Sequence, residues 1–241
     1  MNNNVLKNDL SNYNSGAYKK PSVTVDIVIC SIINNDLMVL LIKRKNPPFK
    51  DYWAIPGGFV DIDRKETLEQ TAQRELQEET NLKNIYLEQL KSYGDPDRDP
   101  RMRIITVAYF ALIPWNEFSD QTIQAGDDAK DTCWFSIRNL PKDLAFDHVM
   151  ILNDALNRLI GKISYSPIAF NFLPKKFTWT ELQNVYEIVL GEKLITSNFR
   201  RKICSLYQIT ELKARKQMKK QGRPATYLIF EKVKETYMKK D

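Results

Sequence analysis

The segment RELQEET, residues 74–80, places Glu75, Glu78 and Glu79 within five residues. The residues leading into it have helical periodicity: Leu68, Ala72 and Leu76 recur every fourth position, giving a helix from about Glu66 to Thr80 one buried stripe. On that helix Glu75 and Glu79 stand one turn apart, and Glu78 neighbours both. Like charges at such spacings destabilise a helix by roughly 0.2–0.5 kcal/mol per pair. They also sit in the C-terminal half, where the macrodipole disfavours negative charge. Folding alone gives no reason for this arrangement, whereas a hard cation does. Mg²⁺ (or Mn²⁺) takes carboxylate and phosphate oxygens and keeps several waters. The ridge therefore reads as a place where such ions hold a pyrophosphate, neutralise its charge and generate a nucleophilic water. For an isolated Glu-Glu pair, a solvated charged face is the ordinary alternative.

Around the ridge the pattern is mixed. SVTVDIVICSII (22–33) reads as a strand, NND (34–36) as a turn and LMVLLIKRK as the returning strand. DYWAIPGGF reads as a loop and short strand bent at Gly57 and Gly58, and further strands are expected at NIYLEQLKSY, RIITVAYFALI and DTCWFSI. FDHVMILNDALNRLIGK reads as a helix with Asp147 as N-cap and Gly161 near its end. Residues 1–20 read as a polar tail, 21–163 as a sheet-and-helix domain, and the two-proline stretch 164–176 as a linker. In 177–241, TWTELQNVYEIVLG opens with a capping-box pattern, Thr178 to Glu181. A second helix, TSNFRRKICSL, has Ser197 as its N-cap, and two strands then flank a basic tip, RKQMKKQGRP. Helix, helix, strand, basic hairpin, strand is the order of a winged helix-turn-helix.

Charge divides the chain at the same place. Residues 164–241 hold 16 Lys+Arg against 7 Asp+Glu, net +9; the totals of 36 and 30 leave 20 and 23 for residues 1–163, net −3. Such asymmetry suits two domains with different partners, the basic one anionic. A helix presenting Arg200, Arg201 and Lys202 can enter a major groove or meet phosphates. Lys213, Arg215, Lys216, Lys219, Lys220 and Arg223 could grip the backbone of double-stranded DNA from the wing, in a salt-sensitive way without sequence choice. Charge alone would equally make a solubilising surface; the helix order favours DNA.

Residues 58–82 match the signature of the Nudix hydrolases, G-x5-E-x7-R-E-U-x-E-E-x-G-U with U aliphatic. Glu66 is followed by seven residues and then by Arg74, Glu75, Leu76, Gln77, Glu78 and Glu79, with Leu82 in the last aliphatic position. Two departures stand out: seven residues instead of five separate Gly58 from Glu66, and Asn81 replaces the terminal glycine. Neither removes a carboxylate, and Asn tolerates a left-handed cap. The resemblance implies an α+β fold, a Nudix α/β/α sandwich with a mixed sheet followed by a small winged-helix domain. It also implies Glu75 and Glu79 as principal metal ligands, Glu78 assisting and the Gly57 carbonyl completing the shell. Glu66 would pair with Arg74 to fix helix against loop. The base would come from the ridge or from a distant loop, for which Asp127 and Asp128 are candidates and an ordinary polar turn the alternative.

GDPDRDPR followed by a VAYFAL strand resembles the ADP-ribose pyrophosphatase branch and its regulatory relatives. Arg98, Arg101 and Arg103 offer forked donors suited to phosphate, although DPDRDPR could equally be a self-neutralising turn. Gly58 would lie beside the substrate, and Trp53 could stack on a base or belong to the core. His148, the only histidine, reads as structural more readily than catalytic. FTWTELQNVYEIVLG, NFRRKI and GRPATYLIF resemble the winged helix of Nudix-related transcriptional regulators, which implies a homodimer on paired half-sites. Two functions follow. One is a Mg²⁺-dependent hydrolase of ADP-ribose or a similar nucleoside diphosphate derivative, fused to a DNA-binding domain. The other is a regulator that only senses ADP-ribose or a sugar. The uneroded glutamates favour hydrolysis. No apolar run approaches the roughly 20 residues of a membrane span, the first residues lack a secretory core, and three isolated cysteines suit a reducing cytoplasm.

Overall fold

Strand β1 (Ser22–Ile33) organises the front of the molecule, and its sequence explains why. Residues alternate across a strand, so Val25, Ile27 and Ile29 enter one apolar cluster while Val28 and Cys30 enter another on the opposite face. An almost unbroken apolar run is what a strand covered on both faces needs. The structure is a computed structural model in which residues 14–80, 85–115, 129–216 and 225–234 are described.

β1 turns through Asn34 and Asn35, both at positive φ, into β2 (Asp36–Arg44), pairing Ile33 with Asp36. β3 (Trp53–Ala54) and β7 (Ala129–Ser136) both pair with β2, and β4 (Gly57–Phe59) pairs with β1. β6 (Ile104–Ile113) lies parallel to β1, and β5 (Tyr86–Tyr93) closes the far edge antiparallel to β6. The sheet is therefore mixed, ordered β3-β2-β1-β6-β5.

Helix α1 (Leu68–Thr80) covers one face with Ala72 and Leu76, and Leu68 packs at the margin. It starts after Thr67, whose Oγ1 accepts the Gln70 N–H at 3.2 Å while the Gln70 side chain accepts the Thr67 N–H at 2.8 Å. Helix α2 (His148–Ile163) covers the other face with Ile151, Leu152, Ala155 and Leu159. Together these layers make the expected α/β/α sandwich.

The stretch 164–176 differs from the linker expected there. Pro167 opens a 3-10 helix, Pro167–Phe172, whose Ile168, Ala169 and Phe172 are buried. Proline at the first position presets φ and needs no N–H partner, so the residue read as a breaker starts a packed turn. Upstream, Ser15–Ala17 forms a short turn on Asn14, within the stretch read as a tail. Helix α3 (Trp179–Leu190) carries the complete Thr178–Glu181 capping box and ends on Gly191 at φ 76°. Helix α4 (Thr196–Leu206) starts earlier than Ser197: the Phe199 N–H bonds to the Ile195 carbonyl at 2.9 Å, which puts Ser197 inside the first turn. β8 (Tyr207–Lys216) and β9 (Ala225–Val233) form the hairpin behind it. Phe177, Leu182, Val185, Phe199, Ile203, Tyr207 and Leu228 share one apolar cluster with Val28, Phe110 and Ile151. The front sheet and the winged helix thus have a continuous core. Among the described residues no helix is long and apolar enough to cross a membrane.

Candidate functional site

At one end of the sheet, a cleft of about 410 Å³ opens between β1, β2, β4, α1, the loop before β6 and the start of α2. Its walls include Asp26, Arg44, Gly57, Gly58, Phe59, Glu75, Glu78, Arg98, Arg101, Phe146 and His148.

One wall is the glutamate ridge. Arg74 is nearly buried and donates from Nε to Glu66 at 3.0 Å and from Nη1 to Glu75 at 2.8 Å and Glu78 at 2.9 Å. One guanidinium thus serves three carboxylates, leaving the cluster anionic. Burial pushes the Glu75 carboxyl above its ordinary range, against the pull of Arg74. Gly58 lies flush against Glu75: a Cβ there would stand 2.4 Å from the carboxylate. The two-residue extension before α1 forms a turn on Asp61, whose carboxylate accepts from Asp63 N–H and Arg64 Nε at 3.0 Å each. That turn brings Arg64 to 4.0 Å from Glu66 and Glu78. Backbone at Glu79 continues α1; its side chain, with Asn81, Leu82, Asp127 and Asp128, lies outside the described residues.

The facing wall is basic. Arg98 holds the Asp147 carboxylate through Nε at 2.9 Å and Nη2 at 2.7 Å, with Asp26 at 3.6 Å. Burial opposes its charge, but these carboxylates more than offset that. Arg101 grips Asp99 in the same forked way, at 3.0 and 2.8 Å, and its guanidinium lies 5.5 Å from the Phe59 ring and 5.8 Å from Phe146. Arg44 lies 4.9 Å from the Phe146 ring. At the floor, His148 Nδ1 accepts the Ile55 N–H at 2.9 Å. Burial holds the ring neutral by lowering its pKa below 6.5, so its proton sits on Nε2, 3.9 Å from Asp26.

The structure thus brings Gly57, Gly58, Glu75, Glu78, Arg98 and Arg101 to one cleft, with Glu66 and Arg74 behind the ridge. It places two sequence candidates elsewhere. Arg103 is exposed outside the cleft walls, and Trp53 packs edge-on against Phe135 at 4.8 Å, drawn there by the pairing of β3 with β2 and β2 with β7. Asp147 stands at the N-cap of α2, but its ψ of 19° is not the extended backbone of a side-chain cap; the Met150 N–H bonds to its carbonyl at 2.9 Å, and its carboxylate holds Arg98 instead. Asp26 and Arg44 carry no sequence spacing that would have singled them out, whereas Phe146 lies in the stretch LAFDH, which shares the family resemblance.

On the winged helix, α4 turns Phe199, Ile203 and Leu206 inward and leaves Arg200, Arg201 and Lys202 exposed. Arg200 lies over the Trp179 ring at 5.3 Å, and Arg201 reaches Asn198 at 3.3 Å. Lys213 is exposed on β8. Lys219, Lys220 and Arg223, and the side chains of Arg215 and Lys216, lie outside the described residues.

A mixed sheet between two helical layers, with a glutamate ridge against a Gly-Gly strand, defines a Nudix domain; two helices and a hairpin behind it define a winged helix. The NUDIX domain model matches residues 23–154 and the NrtR DNA-binding winged helix domain model residues 169–230, and the chain belongs to the Nudix family with this winged helix appended. It is 43% identical over 195 residues to the ADPR responsive transcriptional repressor NtrR of Acinetobacter baylyi, covering 80% of this chain and 76% of that one. It is also 43% identical over 150 residues to the ADP-ribose pyrophosphatase of Methanocaldococcus jannaschii, covering 62% of this chain and 80% of that one. The solved structure of Shewanella oneidensis NrtR complexed with a 27mer DNA has a TM-score of 0.74 and 34% identity, covering 87% of this chain and 93% of that one.

Proposed function

We propose that the Nudix domain hydrolyses the pyrophosphate of ADP-ribose, or of a close relative, with a divalent cation, and that the winged helix binds double-stranded DNA as part of a cytoplasmic homodimeric regulator. The observation that carries this reading is the cleft itself, with a carboxylate ridge on one wall and guanidinium groups on the other.

The ridge fits a hard cation. Its donors are carboxylate oxygens, and Glu66, Glu75 and Glu78 outnumber the two arginines beside them, Arg74 and Arg64. Glu75 and Glu78 would hold Mg²⁺ or Mn²⁺, with Glu79 and the Gly57 carbonyl as the ligands the family resemblance adds. Bound there, the ion would neutralise the pyrophosphate and activate the attacking water. Arg74 holds Glu75 and Glu78 in place, Arg101, whose Nε and Nη2 hold Asp99, has Nη1 left for phosphate, and Phe59 and Phe146 line the cleft. Water adds to one phosphorus, the bridging P–O bond breaks, and AMP and a sugar phosphate leave.

The similarity to an ADP-ribose pyrophosphatase supports the chemistry, and that to an ADPR-responsive repressor supports the coupling to DNA. A second reading, sensing without turnover, is favoured by one observation: Arg74 already engages both Glu75 and Glu78. The experiment is AMP release from ADP-ribose with Mg²⁺. Turnover by the wild type, lowered on the order of 100-fold or more in Glu75→Gln, supports the hydrolase. ADP-ribose binding without turnover leaves the sensor.

A further inference from the structure

The front sheet holds the winged helix by polar contacts that land on α3. Asn184 donates to Asn35, in the β1–β2 turn, at 2.9 Å. One turn further along α3, Arg138 donates from Nη2 to the carbonyls of Ile188 and Val189 at 3.0 and 2.8 Å. The root of Arg138 is fixed. It follows β7 in a turn closed by the Asn139 N–H on the Ser136 carbonyl at 3.0 Å, and its buried neighbour Ile137 donates its N–H to the Leu37 carbonyl of β2 at 3.0 Å.

The end of α3 explains why an arginine stands there. The last carbonyls of a helix lack intrahelical partners and gather its negative partial charge. In α3 the Gly191 N–H serves the Glu187 carbonyl at 2.8 Å. The last turn, Glu187 to Leu190, has no basic residue of its own. The guanidinium that completes this helix end therefore comes from the front domain.

α4 is tied to α3 in turn. The Tyr186 and Phe199 rings are 5.1 Å apart, Gln183 Nε2 donates to the Leu194 carbonyl at 2.9 Å, and the Glu187 carboxylate accepts the Leu194 N–H at 3.1 Å. The apolar core shared by the two domains attracts without direction and so tolerates rocking. Hydrogen bonds from a charged donor to two successive carbonyls are directional and do not.

Resting on the homodimeric DNA-binding reading above, with the copies joined through their front domains, we propose that Arg138 is a positioning residue that sets the spacing of the DNA half-sites. By fixing α3 on the front domain it fixes the separation and rotation of the two α4 helices. One base pair added between half-sites moves the second site by about 3.4 Å and turns it by roughly 35° about the duplex. A pinned pair of helices cannot follow that displacement, whereas a loose pair can.

The test uses the full-length chain. Selection from duplexes randomised over roughly 30 base pairs, about three turns, gives the preferred paired site. Kd values are then read on that duplex, on versions with one base pair added or removed between half-sites, and on one half-site alone. The wild type is expected to lose on the order of tenfold when the spacing changes by one base pair. Arg138→Ala is expected to lose less than about threefold for the same change, while its affinity for the single half-site stays within about twofold of wild type. A wild-type spacing penalty in Arg138→Ala overturns the proposal. Equal losses on the single half-site and on the pair overturn it too, because they show damage to the winged helix alone. Should Arg138→Ala fail to fold, Asn184→Ala removes the other contact on α3 and carries the same test: a relaxed spacing supports the proposal and a retained one overturns it. A wild type that binds the pair at any spacing also overturns it. A wild type that selects no duplex at low salt overturns the DNA-binding reading itself.

Discussion

Gly58 sits against Glu75 so closely that a Cβ on Gly58 would meet the carboxylate at 2.4 Å. Strand β4 and helix α1 therefore touch at the ridge with no side chain between them. Gly58→Ala must displace the Glu75 carboxylate, the far end of a flexible side chain, and with it the 2.8 Å bond to Arg74. The fold can absorb that, but the ridge cannot. The expected outcome is a thermal midpoint close to wild type and AMP release lowered on the order of tenfold or more; unchanged turnover would show that the position of Glu75 is immaterial.

Gly57 separates fold from function in the other direction. A Cβ there would stand 2.2 Å from the Val25 carbonyl and 3.0 Å from the Asp26 Cα. Both are backbone of β1, with β6 paired on its other side, and have no room to yield. Gly57→Ala is expected to destabilise the protein by about 1–3 kcal/mol, read as a lower urea midpoint at unchanged m-value. A midpoint equal to wild type would mean that the β1–β4 contact is looser than its geometry.

The parts legible in the sequence were those with a period or a spacing. β1 reads as a strand from its β-branched, largely apolar run and α1 shows its stripe, while the pairing of Glu66 with Arg74 comes from the resemblance to the Nudix signature. What escaped was set by tertiary contact. Asp147 looks like an N-cap locally, yet its carboxylate holds Arg98, 49 positions earlier in the chain. Trp53 looks like a loop aromatic, but cross-strand neighbours turn it onto Phe135. Arg44 and Phe146 meet at 4.9 Å from opposite ends of the front domain, and no local pattern links them. The prolines of 164–176 read as breakers, while the apolar residues between them found a core to fill.

His148 is fully enclosed and neutral, its pKa held below the ordinary 6.5 by burial, and its Nδ1 accepts the Ile55 N–H. In the unfolded chain the same ring gains a proton as pH falls through 6.5, so between the depressed folded pKa and 6.5 the unfolded state binds more protons. Stability rises with pH there: the full contribution is present above 6.5 and is lost progressively below it. His148→Gln, which keeps an acceptor for Ile55, is expected to lower stability at pH 7.5 yet show a flatter loss between pH 6.5 and 5. Urea midpoints at several pH values check this, and parallel curves for the two proteins would remove His148 as the cause.

Arg201 and Arg200 neighbour each other on α4 but should weigh differently on DNA. Arg200 lies over the Trp179 ring at 5.3 Å, so its alanine variant removes packing as well as charge. Arg201 is exposed, with only the 3.3 Å contact to Asn198, one turn away on the same helix. If it meets a phosphate, Arg201→Ala should weaken binding across unrelated sequences and reduce the slope of log K against log salt by about 0.9. Its thermal midpoint should stay at the wild-type value, whereas that of Arg200→Ala should fall. Anisotropy titrations between about 50 and 200 mM salt measure the slope. An unchanged slope with weakened binding at one sequence alone would place Arg201 on a base edge instead, where a bidentate contact discriminates by about 1–3 kcal/mol.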